Sequence, residues 1–426
     1  MPLHLPAVEH EIRGHLRHNV VVNLLDGGFF GFALGFGSFI TIIPLFVSQM
    51  TDSAILIGLI PAIHNMGWQF PQLLTAGWVS RMRRYKPATV IMTIQERLPF
   101  LGLAAVAWLL PGMGTKAALV LTFLLLIWQG FGGGFTANPW TSMIAKIIPP
   151  EHQGTFFGAQ AAAANGLASV AAILAGLLLD RLASPLNFSL CFLLAGVMLA
   201  VSWAFLALTR EPVDTAKTIP DKKEPFWRGT RTILRRDSNF RWFLVVRSLA
   251  SFAAMAFSFY IVYAVRQFNM DKLTAGILTG VYMGIQIIAN PLMGWLGDRW
   301  SYRGVMTAGT LAAALSALLA WGAPSLGWFY AVFILAALAM VAIWTLGITM
   351  IVQFGTQTER PIYIGLANTL AAPATILAPL FGGWLADAVS YQATFMATAL
   401  CALLTAAVLH FMVRDPRQEG QPEKIA

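Results

Sequence analysis

Ionisable side chains inside long apolar stretches are the residues of this chain best suited to do chemistry. Two acids, Asp26 and Glu96, lie well within such stretches. So do two bases, Arg97 and Arg247, and one histidine, His64. A charge in the middle of a membrane span costs about 2.5–3.5 kcal/mol on insertion scales, so each is a functional candidate. A partly desolvated carboxyl can take up and release a proton, and an imidazole can relay it, which makes Asp26, Glu96 and His64 candidates for proton binding.

Asp26 and Arg247 occupy similar depths in apolar stretches of the two halves of the chain. We expect them to pair across the halves in one state of the protein. Two alternatives stay open. Asp26 could be a solvated gate carboxylate near the headgroups, and Arg247 could extend its charge to the membrane interface.

Glu96 and Arg97 are neighbours on one predicted helix, where adjacent side chains point about 100° apart and do not face each other. Glu96 is the deepest acid and rivals Asp26 as the proton site. The alternative is a structural network. We expect Arg97, like Arg247, to be an inter-bundle or gate charge.

Composition indicates a helical protein that crosses a membrane many times. The chain is 57% hydrophobic and 11% charged, whereas soluble domains carry about 25% charged residues. The net charge of +9 indicates basic loops at a lipid bilayer and no nucleic-acid partner. Cys191 and Cys401 lie in apolar runs, and the histidines near the start have no acid cluster, so we expect no disulfide, no metal and no cofactor.

Twelve apolar runs divide six and six around one charged connector. They lie near 20–48, 54–79, 88–110, 117–145, 155–179, 186–208, 242–265, 273–297, 304–322, 327–352, 362–386 and 392–413. About 20 apolar residues are enough to span a bilayer. The predicted organisation is an N-terminal segment (1–18), a six-helix bundle (19–209), a linker (210–240), a second six-helix bundle (241–413) and a tail (414–426). Lysine and arginine are concentrated in the termini, the linker and every second loop, which predicts that both termini are cytoplasmic in the inner (plasma) membrane.

The two halves repeat one another. Gly158, Gly176, Asp180 and Phe188 recur as Gly365, Gly383, Asp387 and Phe395, each 207 residues later. Gly77-Trp78 and Gly130 recur 217 residues later. Such repeats are typical of transporters built from two parallel halves.

A charged loop between the eighth and ninth runs carries a motif. Residues 294–303 read GWLGDRWSYR, with Gly294, Asp298, Arg299 and Arg303 at the spacing G-x-L-x-D-R-x-x-x-R. This pattern resembles the loop signature of the major facilitator superfamily, and the likeness extends over residues 19–413. The resemblance implies an all-α fold of two pseudo-symmetric six-helix bundles, with the first, fourth, seventh and tenth helices lining a central cavity. It also implies that this loop biases the balance between inward- and outward-facing states.

The chain departs from that family pattern in three places. The first-half copy of the motif reads GWVSRMRRYK, with Arg81 in the position of the Asp. The fourth run keeps the family's Q-G-x-G as WQGFGGGF but has Leu126 where an Arg is expected. The fifth run lacks the Gly-Pro signature associated with antiporters, which weakens an assignment to drug export.

Amides, hydroxyls and aromatic side chains on the cavity-lining runs are the candidates for substrate contacts. They are Asn23, Trp128, Gln129, Asn138, Tyr260, Tyr263, Gln286, Asn290, Trp344 and Thr345. Aromatic walls with scattered amides suit an amphipathic or neutral organic solute. Arg247 is the one obvious cavity base, which makes strongly anionic solutes a poorer match.

Together these features predict a monomeric secondary active transporter of a small organic solute. Protons or another ion would drive it, with a slight preference for export of amphipathic or neutral compounds. Proton-coupled uptake of a nutrient such as a sugar is the alternative. No nucleotide-binding loop and no catalytic constellation are visible, so an ATP-driven pump or an enzyme is not expected. A non-transporting receptor or scaffold of the same fold stays open.

Overall fold

The computed structural model describes residues 5–39, 41–51, 54–213, 226–270 and 272–416. This described part is built of helices and contains no strand. Its α-helices are α1 (Leu5–Phe36), α2 (Ile42–Ser48), α3 (Ala54–Gln69), α4 (Gln72–Val79), α5 (Lys86–Met113), α6 (Thr115–Ile147), α7 (Gln153–Arg181), α8 (Leu186–Ala207), α9 (Phe226–Arg236), α10 (Ser238–Ala253), α11 (Tyr260–Phe268), α12 (Lys272–Arg299), α13 (Tyr302–Trp321), α14 (Trp328–Ile351), α15 (Arg360–Ala388) and α16 (Tyr391–Met412). Residues 1–4 of the predicted N-terminal segment, 214–225 of the linker and 417–426 of the tail lie outside the described residues.

The helices confirm a membrane protein with the layout expected from the sequence. Ten stretches of the described chain are long and apolar enough to cross a membrane. The second predicted span is divided at residues 70–71 into α3 and α4, because Pro71 has no N–H to continue the helix. The eighth predicted span is α12, whose 28 residues cover about 42 Å. The ten stretches, together with the α3–α4 pair and α12, correspond to the twelve predicted spans.

The chain forms two compact units that do not follow the sequence halves everywhere. The first comprises Met1–Pro149, Ala163–Pro220 and Gln357–Thr369. The second comprises Pro150–Ala162, Asp221–Thr356 and Leu370–Ala426. The start of α7 therefore packs with the C-terminal half of the chain, and the start of α15 packs with the N-terminal half. The predicted boundaries 19–209 and 241–413 stay predictions.

In the first unit, α5 packs on α6 and α8, and α1 packs on α8. Aromatic side chains fill the interior, among them Phe46, Phe100 and Phe192. Glycines bring α1 against α7, since a Cβ at Gly31 would overlap the backbone of Ala164. Small residues permit such close helix approach inside a membrane, where apolar burial gives no preference for helix contact over lipid.

In the second unit, α13 packs on α14 and α16, α12 on α14, and α10 on α16. Tyr260, Phe329, Phe333 and Phe395 form its aromatic core. Each unit thus has its own aromatic core, and the described part of the second unit also has a smaller cluster of buried alanines.

The repeat seen in the sequence is matched by the helices themselves. Both α7 and α15 have 29 residues, and both bounds of α15 lie 207 residues after those of α7. Gly158 of α7 abuts the backbone of Asn290 in α12, and Gly365 of α15 abuts the backbone of Leu73 in α4. Gly158 and Gly365 therefore serve the same purpose in both units, which is a close approach of two helix backbones, whereas nothing lies within 4 Å of a Cβ at Gly176.

Candidate functional site

Asp26 lies in a buried polar network of the first unit. Its carboxylate accepts a hydrogen bond from the Ser202 hydroxyl at 2.6 Å and forms an ion pair with Arg97 at 3.3 Å. Arg97 also donates to the carbonyl oxygen of Leu199 at 3.0 Å and to Ser202 at 2.9 Å. In this structure Asp26 pairs with Arg97, and its pairing with Arg247 in another state stays a prediction. Arg97 was expected to be an inter-bundle or gate charge, and here its partners belong to α1 and α8 of the same unit.

Glu96 points to a different helix from Arg97, as expected for adjacent residues of α5. Its carboxyl lies against the glycine-rich part of α6, where a Cβ at Gly133 would be 3.0 Å from Oε1. The side chain is 8% exposed, and within the described chain no hydrogen bond or ion pair reaches its carboxyl. Asp26 is therefore ion-paired with Arg97, whereas the Glu96 carboxyl feels the charge of Arg97 without a direct contact in the described part of the chain.

His64 is held by an amide on α6. Its Nδ1 is 3.0 Å from Oε1 of Gln129, and its ring stacks on Phe39 with centroids 3.9 Å apart. Gln129 was predicted as a cavity residue and is fully buried as the partner of this histidine. Gln129 is thus the partner of His64 in this structure, and the role of His64 in proton binding stays a prediction.

The loop motif holds the start of α7. Asp298 accepts hydrogen bonds from the backbone N–H groups of Gly154 and Thr155, at 2.8 and 2.6 Å, and from the Thr155 hydroxyl at 2.6 Å. The Tyr302 hydroxyl donates to the same carboxylate. A carboxylate is favourable at this position because the first N–H groups of a helix have no partner within the helix and carry partial positive charge. Asp298 thus attaches a helix from the first half of the chain to the second half.

The other motif residues support this attachment. A Cβ at Gly294 would overlap the carbonyl oxygen of Gly154, so the two backbones touch. Arg299 is exposed, with its guanidinium 5.4 Å from the ring centroid of Trp295. Arg303 donates to the carbonyl oxygen of Val413 at 3.3 Å, which links the loop to the end of α16.

The equivalent attachment in the first unit uses no carboxylate from the motif. Arg81, in the position of Asp298, is exposed. The start of α15 is bound instead by Asn138, whose amide donates to the carbonyl oxygen of Pro361 at 2.8 Å. Asn368 of α15 also donates to the side chain of Gln72 at 2.6 Å. Asn138 was predicted to contact substrate, and here it joins two helices.

Two acids that the sequence reading missed hold the chain ends beside these loops. Glu211 accepts from Lys146 at 2.9 Å and from the backbone N–H groups of Tyr85 and Lys86 at 2.9 and 2.7 Å. Asp415 accepts from the N–H of Tyr302 at 3.1 Å in the second unit. Glu211 and Asp415 each follow the last helix of a half, a repeated position that was the available sequence signal.

Arg247 and Trp344 lie together on the wall of a cavity in the second unit. The guanidinium carbon is 5.9 Å from the Trp344 ring centroid, which is within the range of a cation–π interaction. The cavity has a volume of about 200 Å³. It is lined by Arg247, Ala250, Ser251, Ala254, Met255, Met340, Ile343, Trp344, Ala371, Thr375 and Pro379.

The remaining predicted cavity residues are divided between packing and exposed positions. Tyr260 and Tyr263 belong to the aromatic core of the second unit, so their assignment to a substrate cavity was wrong. Asn290 is buried and accepts from the Thr345 hydroxyl at 2.6 Å. Asn23 is also buried, donating to Thr209 at 3.1 Å. Gln286 is half-buried and Trp128 is exposed.

Comparison with protein families identifies the fold class. The sequence-family model of the Major Facilitator Superfamily matches residues 94–265 and 248–426, which together cover most of the chain. The chain belongs to the Major Facilitator Superfamily. It is therefore a multi-pass membrane protein of that family.

A curated relative matches a smaller part of the chain. The probable vesicular acetylcholine transporter-B of Danio rerio is 30% identical over 151 residues, which are 35% of this chain. The match spans 30% of the length of that relative.

Solved transporter structures share the fold over nearly the whole chain. FucP, the fucose:proton symporter of E. coli, matches in its outward conformation with a TM-score of 0.74, 17% identity and coverage of 92% of this chain and 98% of that one. The human organic anion transporter MFSD10 matches with a TM-score of 0.71, 14% identity and coverage of 92% and 99%. The proton:xylose symporter XylE matches with a TM-score of 0.70, 15% identity and coverage of 96% and 100%. At these identities the likeness shows the fold alone.

Proposed function

We propose that this major facilitator transporter is a proton-coupled secondary active carrier of small organic solutes that works by alternating access. The observation that carries the proposal is the buried Glu96 carboxyl, which has no ion pair or hydrogen bond within the described chain. The carrier is assigned to the inner (plasma) membrane, with both termini cytoplasmic.

A carboxylate buried in a membrane protein without a direct hydrogen bond or ion pair is costly, because its charge loses water and gains only the more distant attraction of Arg97. Glu96 in the packing of this structure therefore suits the neutral, protonated form. A rearrangement that admits water beside Gly133 would stabilise the ionised form and release the proton. A group that takes up its proton in one state and releases it in another is what coupling to a proton gradient needs.

Asp26 is the less suitable proton site of the two. Arg97 and Ser202 both hold its carboxylate, so the ion pair stabilises the charged form. Removing one partner of a buried pair costs about 3–5 kcal/mol, which favours a fixed structural role. His64, bound to Gln129, would position α3 against α6 rather than relay the proton.

The attachments at the starts of α7 and α15 support alternating access. Each joins a helix end from one half of the chain to the other half, through Asp298 in one unit and Asn138 in the other. Because these bonds hold one state, breaking them would favour another, and the population shift between the two states is the transport cycle. The proton symporters FucP and XylE share this fold, which supports the coupling ion.

The proposed substrate class and direction of transport rest on the cavity wall and on the sequence of α7. An aromatic wall with one base suits amphipathic compounds, and we retain the slight preference for export. Proton-coupled uptake of a nutrient such as a sugar is the second candidate, favoured by the missing Gly-Pro signature in α7.

Flux into proteoliposomes tests the proposal. The purified protein is reconstituted and offered a labelled panel of amphipathic compounds, sugars and organic acids, with and without a pH gradient. We expect at least one solute to accumulate against its concentration gradient only when the pH gradient is present. Accumulation that ignores the pH gradient would refute proton coupling. Absence of flux for every solute, together with retained ligand binding, would favour the receptor or scaffold.

A further inference from the structure

We propose that the cavity of the second unit binds an amphipathic organic monoanion, with Arg247 holding the anionic group and Trp344 packing against the apolar body. This inference rests on the proposed transport function and gives it a substrate class. It goes beyond the gate role that the sequence suggested for Arg247.

The charge on the cavity wall favours an anionic ligand. Of the eleven residues that line the cavity, all within the described chain, Arg247 is the only one with a charge. A guanidinium presents a planar set of N–H donors that matches the two oxygens of a carboxylate. Such a charge-assisted bond is stronger away from bulk water, and Arg247 is 9% exposed. One base matches one negative charge, so a dianion or polyanion is a poorer ligand.

The rest of the wall selects an apolar body. Met255, Met340, Ile343 and three alanines contribute apolar surface, and the Trp344 ring is 37% exposed. Ser251 and Thr375 add hydroxyls to the wall; both donate to backbone carbonyl oxygens, of Arg247 and Ala372, so their oxygens can accept from one polar substituent. A volume of about 200 Å³ is below that of pockets for drug-sized ligands, which indicates an acid with a single ring or a short chain.

Gly347 positions the guanidinium. A Cβ at this residue of α14 would lie 2.7 Å from an Arg247 terminal nitrogen, so any larger residue displaces the side chain. The missing side chain leaves Arg247 room beside Trp344, with which it shares the cavity wall. Gly347 is therefore a positioning residue. Its substitution should weaken binding of the anion and leave binding of an uncharged ligand unchanged.

The test compares two ligands of one shape in detergent solution. 3-Phenylpropanoate and 3-phenylpropanamide share their apolar body and differ in charge at neutral pH. Binding is followed by ligand-induced thermal stabilisation and tryptophan fluorescence, and neither readout requires a proton gradient. We expect the carboxylate to bind at least about tenfold more tightly than the amide.

Three variants assign that preference to the site. Arg247→Gln should abolish the preference, so that acid and amide bind about equally. Continued binding of the amide would show that the variant is folded. Gly347→Ala should reduce it several-fold. Arg266→Gln should preserve it, because Arg266 also lies over an aromatic ring, Tyr391 at 5.5 Å, but outside the cavity.

The contrary results are equally distinct. Equal binding of acid and amide, no binding of the acid up to about 1 mM, or a preference that survives Arg247→Gln would each overturn the inference. Proton-driven flux of other solutes would then still support the proposed function. Conversely, a preference that depends on Arg247 without any proton-driven flux would support this site and refute the coupling.

Discussion

Replacing Asp298 by asparagine should release the start of α7 from the end of α12. The carboxylate accepts four hydrogen bonds, two on each oxygen, from Gly154, Thr155 and Tyr302. Asparagine retains one acceptor oxygen and presents an NH₂ group to donors, so at least two of these bonds are lost. It also removes the charge that stabilises the helix start.

The magnitude follows from the geometry. A bond to a charged group contributes about 1.5–3 kcal/mol when buried. Asp298 is half-buried, so we reduce this to about 1 kcal/mol for each lost bond and add about 0.5 kcal/mol for the helix terminus. The attachment should weaken by about 2–3 kcal/mol, a shift of about 30- to 150-fold in its equilibrium.

Distances between spin labels measure that equilibrium. Labels are attached at His152 and Trp300, two exposed positions on either side of the contact, in a protein whose Cys191 and Cys401 have been replaced by alanine. Pulsed dipolar spectroscopy should give one short distance for the parent protein. Asp298→Asn should add a longer distance as a major population.

A matched variant controls for the loss of charge. Asp180 lies at the other end of α7 and is exposed, so Asp180→Asn makes the same chemical change without touching the attachment. An unchanged distance distribution in Asp298→Asn, or the same new population in Asp180→Asn, would refute this reasoning.

Three further substitutions test the buried contacts by melting of the purified protein. Glu211→Gln leaves Lys146 buried without its charged partner and should destabilise the protein by about 3–5 kcal/mol. Arg97→Gln leaves Asp26 with one of its two side-chain partners and should cost about 2–4 kcal/mol. Gly294→Ala forces α12 away from the start of α7 and should cost about 1–3 kcal/mol.

Each of these substitutions has a control in the same protein. Glu11→Gln and Arg181→Gln change exposed charges, and Gly280→Ala adds a methyl group to α12 where nothing lies within 4 Å. The controls should melt within about 0.5 kcal/mol of the parent protein. Equal destabilisation by a variant and its control would contradict the packing described for that contact.

The helices and the repeat could be predicted because membrane spans leave a strong sequence signal. Twenty consecutive apolar residues have few alternatives to a spanning helix, and glycines at one fixed offset mark equivalent close approaches. The role of Gly294, which lies in the last turns of α12, was also predictable, since small residues in membrane helices permit close helix contact. These features depend on local sequence or on exact repetition.

Partners of buried charges could not be predicted in the same way. Depth in a span suggested Arg247 for Asp26, but the direction of the side chain around the helix selects Arg97. Tyr260 and Tyr263 face the aromatic core for the same reason. Helix rotation depends on all neighbouring helices together, and a uniformly apolar span gives little information about which face is inside.

The sequence also did not predict that the start of α7 belongs to the second unit and the start of α15 to the first. The resemblance implied that the loop with Asp298 biases the balance between two states, but the groups that donate to Asp298 are backbone N–H groups of Gly154 and Thr155, which any residue other than proline provides. Glu211 and Asp415 likewise accept from backbone groups. Backbone partners leave no pattern of residue types to recognise.

The most direct test of the account is the response of Glu96→Gln to a pH gradient in proteoliposomes. A solute that the parent protein accumulates is measured in two modes, exchange at equal pH and accumulation driven by the gradient. We predict that Glu96→Gln retains exchange and loses accumulation, because glutamine preserves the packing against Gly133 and cannot carry a proton. Asp26→Asn should weaken both modes together through loss of stability. Undiminished gradient-driven accumulation by Glu96→Gln would contradict the account.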